Sequence, residues 1–291
     1  MNAEILDQYC QAGKIASGAL KRGAERIRPG VTILEVVEAV EADILDAGAG
    51  LAFPLNLSRN EDAAHDTASR NDERIFAEGD VVKLDLGVHV GGYIADTALT
   101  VDLGDHGSLV EASREALEQA IAKVRPGCRT GELGSAIHAA ITARGFRPIA
   151  NLTGHGLGQN LVHTTPSIPN VPVPGGQMLE EGMVFAIEPF ATTGSGRVGD
   201  KNRIEIFRQI ADRPARLHSA RAILEFAKER KGMPFAKRWL PLEHPDVPLA
   251  TLIRGGILYP FPVLADIPGS FVSQAEHTLI VTGDGCIVTT R

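Results

Sequence analysis

The sequence predicts an α+β fold of two related αβ halves around an antiparallel sheet, with a helical insertion in the second half. Three internal matches predict it. Arg28-Pro29-Gly30 recurs as Arg125-Pro126-Gly127, and the segment Glu78-Gly79-Asp80 to Leu84-Asp85 lines up with Glu181-Gly182-Met183 to Ile187-Glu188. The segment Ala95-Asp96-Thr97 to Val101 lines up with Ala275-Glu276-His277 to Val281. The first two matches keep nearly the same interval, whereas the third is spaced far more widely, so the second half must hold extra chain between Glu188 and Ala275. The chain reads as one domain over 1–291, with halves of about 1–107 and 108–291 and an insertion at about 212–257.

Taken in order, each Arg-Pro-Gly closes one helix and opens another, since Pro suits a helix entry and Gly a helix exit. Thr32 and Glu35 have the spacing of a capping box for a helix reaching about Ala47. The second copy predicts a helix from about Gly131 to Ala143. Each helix then meets a strand-like segment, Ala52 to Ser58 and Pro148 to Gly154, both carrying Asn-Leu-Ser/Thr. The Glu-Gly pairs turn into strands that end in a carboxylate, flanked by β-branched and aromatic residues. Gly91-Gly92 suits the tight turn of a hairpin in the first half. In the insertion, Leu217, Ile223, Leu224 and Ala227 fall close to helical spacing. Trp239, several prolines and Gly255-Gly256 follow before the chain returns to the sheet near Ile257.

Composition narrows the function. An apolar fraction of 44% supports a packed core, and a net charge of −7 weighs against a nucleic-acid surface, which needs clustered Lys and Arg. No signal-like pattern follows Met1-Asn2-Ala3-Glu4, and no apolar stretch reaches the roughly 18 residues of a membrane span. The expectation is a cytoplasmic protein without membrane or nucleic-acid partners. Cys10, Cys128 and Cys286 are far apart and odd in number, which predicts reduced thiols and no zinc knuckle.

The duplication sets Asp85 opposite Glu188 and Asp96 opposite Glu276, all four in apolar strands. Buried carboxylates repel one another and lose hydration, so four at symmetric positions invite more than one metal ion. Gly154-His155-Gly156-Leu157-Gly158 adds a nitrogen ligand on a backbone that can fold closely around a centre. The same glycines do not make a dinucleotide loop, because Val162-His163-Thr164-Thr165-Pro166 follows in place of a helix. Four carboxylates and one imidazole suit a hard or borderline divalent pair better than structural zinc. His65 and His163 are ambiguous on their own, and His89 beside the Gly91-Gly92 turn reads as solvent-exposed. His277 adjoins Glu276 and points to the opposite strand face, away from any metal. His106, His138, His218 and His244 read as non-catalytic.

The ordered motifs Ala52-Phe53-Pro54…His65, Leu84-Asp85-Leu86-Gly87…Ala95-Asp96, Gly154-His155-Gly156…His163, Ile187-Glu188-Pro189-Phe190 and Ser273-Gln274-Ala275-Glu276-His277-Thr278 resemble the pita-bread metallopeptidases, and within them the type 2 methionine aminopeptidases. The resemblance spans nearly the whole chain, the insertion resembles that of type 2 enzymes, and the short N-terminus resembles the archaeal form. It implies a dinuclear aminopeptidase acting on the N-termini of nascent polypeptides, near the ribosome and as a monomer, when the second residue is small. By that resemblance, Asp85 binds one divalent ion (Co, Mn, Fe or Zn), His155 with Glu188 binds the other, and Asp96 and Glu276 bridge the two. It also implies proton transfer by Glu188, oxyanion stabilisation by His163 and substrate contact by His65. Phe53, Val162 and Phe261 correspond to the wall that accepts methionine. The rival within the enzyme class is a Xaa-Pro aminopeptidase or prolidase. Those carry an extra N-terminal domain and continue with Gly after Glu-Pro, where Phe190 stands here. The rival outside it is a non-catalytic pita-bread binding protein, in which metal ligands are lost.

Overall fold

A computed structural model describes residues 1–291. The first half runs α1 (Ala3–Arg26), α2 (Ile33–Asp46), β1 (Gly50–Leu51), β2 (Asn56–Arg59), β3 (Asp62–Ala64), β4 (Val81–Val90) and β5 (Tyr93–Asp102). The second half runs through α3 (Gly107–Ile121), α4 (Thr130–Ala143), β6 (Arg147–Pro148), β7 (Thr153–Gly158), β8 (Leu161–Pro169), β9 (Val184–Ile187) and β10 (Phe190–Thr192). The remainder is β11 (Gly199–Gln209), α5 (His218–Glu229), β12 (Phe235–Ala236), α6 (Asp246–Arg254), β13 (Leu258–Ala265), β14 (Val272–Gln274), β15 (His277–Val281) and β16 (Cys286–Val288).

The internal matches fold alike. The Gly30 and Gly127 N–H groups donate to the carbonyls of Phe76 and Leu179 at 2.8 and 2.9 Å. Gly79 and Gly182 make the same left-handed turn, both at φ +86°, and their N–H groups reach the carbonyls of Leu103 and Val281, both at 2.9 Å. Helix entry follows local chemistry: the Thr32 hydroxyl accepts from the Glu35 N–H at 3.1 Å, and the Glu132 carboxylate accepts from the Arg129 N–H at 2.9 Å.

Each half buries its helices against one sheet face. Val36, Val37, Val40 and Ile44 of α2 pack in one core with Leu57, Leu84, Leu86 and Val88. Leu117 of α3 and Leu133, Ile137 and Ile141 of α4 pack in another with Phe185, Ile187 and Leu279. The halves join where Glu276 N–H donates to the Ala98 carbonyl at 3.0 Å and Ala98 N–H returns to the Glu276 carbonyl at 3.5 Å. Helices cover the outer faces, so the inner faces are left to line a cavity. α5 and α6 build their own small core with Phe207, Phe235 and Leu258. That core sits under the β11–β13 ribbon, which pairs antiparallel from Gly199↔Ala265 to Gln209↔Leu258.

Three expectations need adjustment. The segments Ala52 to Ser58 and Pro148 to Gly154 are not continuous strands: β1 stops at Leu51 and β2 starts at Asn56, because Pro54 cannot donate to a ladder. Likewise β6 stops at Pro148 and β7 starts at Thr153. His89 is not a solvent-exposed side chain but a half-buried one, packed so closely over Gly50 that a Cβ there would lie 2.3 Å from its Nε2.

Candidate metal centre

Five elements bring the predicted ligands to one place. Asp85 lies in the middle of β4 and Asp96 on β5, where Asp85 pairs with Ala98 and Gly87 with Asp96. Residues directly opposite in an antiparallel pair share a face, and steps of two keep it, so both side chains emerge on the inner face. His155 stands on β7, Glu188 follows the last residue of β9, and Glu276 sits between β14 and β15. Ligand atoms of Asp96, His155 and Glu276 lie within 4.8 Å of one another. The His155 Nε2 is 3.7 Å from an Asp96 oxygen and 3.5 Å from a Glu188 oxygen. All five residues line a cavity of about 250 Å³ together with His65, His163, Phe53, Val162 and Phe261.

Two glycines make room for this packing. A Cβ at Gly156 would lie 2.0 Å from the Thr165 carbonyl oxygen, so only glycine lets β8 fold over β7 there. A Cβ at Gly87 would lie 2.3 Å from the Phe53 ring, which rests on bare backbone beside Asp85.

The histidines are set by different partners. His65 has left-handed backbone at φ +65°, its Nδ1 is 3.2 Å from the Pro262 carbonyl, and its ring meets Phe261 edge-on at 5.3 Å. A carbonyl can only accept, so Nδ1 carries the proton and Nε2 is left as an acceptor. The His155 and His163 rings lie 4.2 Å apart. Burial pushes the His65 and His155 imidazoles down, His155 to about 4. Burial and then His155 and His65 push His163 down as well. All three are therefore neutral at physiological pH. His277 faces away, with its Nδ1 2.8 Å from the Thr290 hydroxyl.

Electrostatically the cluster is out of balance. Burial raises Asp85 to about 7, and burial plus mutual repulsion lifts Asp96, Glu188 and Glu276 well above the carboxylate range. No Lys or Arg lines the cavity. Asp85 Oδ1 and Asp96 Oδ1 are buried without a hydrogen-bond partner. Uncompensated, orphaned oxygens beside one imidazole are a donor set that fits a divalent cation.

Gln274, in the Ser273-Gln274-Ala275-Glu276 motif, joins the cluster although the sequence reading assigns it no role. The Gln274 side-chain amide donates to Asp85 at 3.1 Å and to Glu276 at 3.4 Å, tying a carboxylate of each half together. The period of two in a strand was the available signal, since Gln274 and Glu276 share a face. Ile206 on β11, Asn56 and Thr153 at the starts of β2 and β7, and Asn151 and Pro234 in loops also line the cavity. Beside the cavity, Asp66 and Asp72 are buried but fully paired. Arg74 reaches them at 2.6 and 2.7 Å, and Arg203 at 3.0 and 2.9 Å.

Comparison with known proteins places this arrangement. The model of metallopeptidase family M24 matches residues 7–225. The chain belongs to metallopeptidase family M24. Membership carries the use of divalent metal, in keeping with the donor set at Asp96, His155 and Glu276. Among M24 relatives, the methionine aminopeptidase of Archaeoglobus fulgidus is 53% identical over 292 residues, spanning 100% of both chains. A crystal structure of methionine aminopeptidase from Thermotoga maritima superposes with a TM-score of 0.74 at 26% identity, covering 100% of this chain and 98% of that one. The structure of a thermophilic Arx1 gives a TM-score of 0.89 at 19% identity, over 99% of this chain and 91% of that one, and so speaks to the fold alone. No helix is long and apolar enough to cross a membrane.

Proposed function

We propose that this chain is an aminopeptidase that removes the N-terminal methionine from nascent polypeptides when the second residue is small. The observation that carries the reading is the cluster of four carboxylates and His155, without a Lys or Arg beside them, in a cavity walled by Phe53, Val162 and Phe261. Two divalent ions per chain, drawn from Co, Mn, Fe or Zn, would fit these donors and would be held by Asp85, Asp96, His155, Glu188 and Glu276. Bound there, such ions supply Lewis acidity and make water nucleophilic near neutral pH.

The remaining work falls to side chains. Glu188, within 3.5 Å of His155 Nε2 in the cavity, passes a proton between water and the leaving amine. His163 donates to the developing oxyanion, and the unprotonated Nε2 of His65 accepts from the substrate backbone near the scissile bond. Phe53, Val162 and Phe261 hold the methionine side chain and exclude water from it. A large second residue would push the carbonyl out of line, costing rate even where binding survives. The enzyme acts as a monomeric single domain in the cytoplasm, on chains emerging near the ribosome, without touching nucleic acid or membrane.

The test is hydrolysis by metal-reconstituted protein of Met-Ala, Met-Val and Met-Leu peptides, with acetylated Met-Ala and Xaa-Pro peptides as controls. Met-Ala should lead Met-Val by a modest factor, since one or two methylenes are worth about 1–3 kcal/mol, and Met-Leu by far more. Equal cleavage of the acetylated peptide, or faster release from Xaa-Pro, would move the chain to another branch of the fold.

A further inference from the structure

The β11–β13 ribbon does not end at the cavity. Ile206 pairs with Phe261, and both line it. The next pair on the same face is Arg208 opposite Tyr259, and Ile210, just past the end of β11, lies two residues beyond Arg208 with its N–H donating to the Ile257 carbonyl at 2.9 Å. A two-residue step along a strand is about 7 Å, so these side chains lie one and two steps beyond the cavity wall.

The outer residues are unlike an ordinary solvated rim. Tyr259 is 48% exposed and stacks edge-on against Phe261 at 5.0 Å. Ile210 is 50% exposed. Beside Tyr259, Arg208 has a buried Nε without a hydrogen-bond partner, and its charge adds to the burial and the neighbouring histidines that lower His163. A cation with a spare donor thus stands beside an exposed aromatic side chain, in register with the cavity floor.

We infer that Arg208, with Tyr259 and Ile210, forms an outer subsite that binds the third and fourth residues of the polypeptide and favours an acidic side chain there. The inference rests on the proposed function, because it needs a peptide whose first residue occupies the cavity. An extended chain leaving the cavity advances about 3.3 Å per residue, so two further residues span the step from Phe261 to Tyr259. The Arg208 guanidinium then meets a carboxylate from that stretch, while Tyr259 and Ile210 cover the aliphatic part of the chain. Such contacts are made equally in the ground and transition states, so they act on KM and leave kcat nearly unchanged.

The experiment uses C-terminally amidated Met-Ala-Xaa-Ala and Met-Ala-Ala-Xaa peptides with Xaa as Asp, Ala or Lys, and metal-loaded protein. In the wild type, kcat/KM should be about tenfold higher for Asp than for Lys in one of the two series, carried by KM and weakened by salt. Within Arg208→Gln that ratio should fall to near one, and within Arg208→Lys it should largely return. Tyr259→Ala should lower kcat/KM for every tetrapeptide by a similar factor relative to Met-Ala amide. Taking ratios within each variant removes any effect of Arg208 on His163. A wild type indifferent to charge in both series, or a preference that survives in Arg208→Gln, overturns the subsite while leaving the aminopeptidase reading intact. Failure to cleave any Met-Ala peptide overturns both.

Discussion

Two groups of buried acids lie side by side in this molecule and are handled in opposite ways. Asp66 and Asp72 share Arg74 and Arg203, two carboxylates against two guanidiniums, at 2.6 to 3.0 Å. Asp85, Asp96, Glu188 and Glu276 share one neutral imidazole and a glutamine amide, with no Lys or Arg in their cavity. The first group is satisfied by its own chain and pins the loop that follows His65 onto β11. The second has no counter-charge from its own chain and, under the proposed function, would be balanced by a divalent cation. Burial alone therefore does not mark a functional acid; burial without a protein counter-charge does.

The largest effect that sharpens this contrast is expected from Asp96→Asn. Turnover of a Met-Ala peptide should fall by roughly 10³-fold or more, in the range for losing an essential polar group of a catalytic site. The metal-free variant should nevertheless be more stable than the metal-free wild type, because a repelled carboxylate has gone. A chemical denaturation series in chelator checks this, and a less stable metal-free variant would break the comparison.

Next comes Arg74→Met. It leaves Asp66 and Asp72 one cation short and should destabilise by about 3 kcal/mol, the low end for a broken buried pair because the guanidinium is partly exposed. Metal content should stay at the wild-type level. The loss also carries a pH signature. Burial acts to raise the Asp72 pKa, but hydrogen bonds from Arg74 and from the Ser69 and Arg74 N–H groups outweigh it, holding the carboxyl well below its ordinary range. A depressed carboxyl adds stability above its unfolded value, about 3.9, and loses it as pH falls toward the folded value. The difference between variant and wild type should therefore shrink below about pH 4; equal differences at pH 3 and pH 7 would count against the pairing.

A smaller effect is expected from metal itself. Saturating Mn or Co at about 100 times its dissociation constant should stabilise the wild type by about 2.7 kcal/mol. The melting temperature should rise by several degrees, while Asp96→Asn responds little. Calorimetry with and without chelator reads this directly, and an unchanged melting temperature would mean that the cluster binds no such ion.

The smallest is Gln274→Ala. Removing the amide that joins Asp85 to Glu276 should weaken metal affinity about 10–100-fold, as outer partners of ligands do. Isothermal titration measures it, and the fold and the Asp66–Arg74 knot should be untouched. Affinity equal to wild type would reduce Gln274 to packing.

Much of this molecule is legible in the chain itself. The duplicated Arg-Pro-Gly and Glu-Gly turns, the helices they separate and the paired carboxylates all follow from local rules. Turn chemistry, capping and strand alternation act over a few residues, and the repeat carries them from one half to the other. Asp85, Asp96, His155, Glu188 and Glu276 could thus be matched by symmetry and motif before any coordinate, and the fold brings them into one cavity. What only tertiary structure decided depends on residues far apart in sequence. No local pattern joins Arg203 to Asp66, Gln274 to Asp85, or Pro262 to His65. Nor did it foretell that His89 would pack over Gly50, or that Arg208 and Tyr259 would extend the cavity floor. Those contacts are set by register between strands and by the insertion under β11 and β13. A one-residue slip would turn every such side chain to the other face, and no local pattern in the sequence records which register wins.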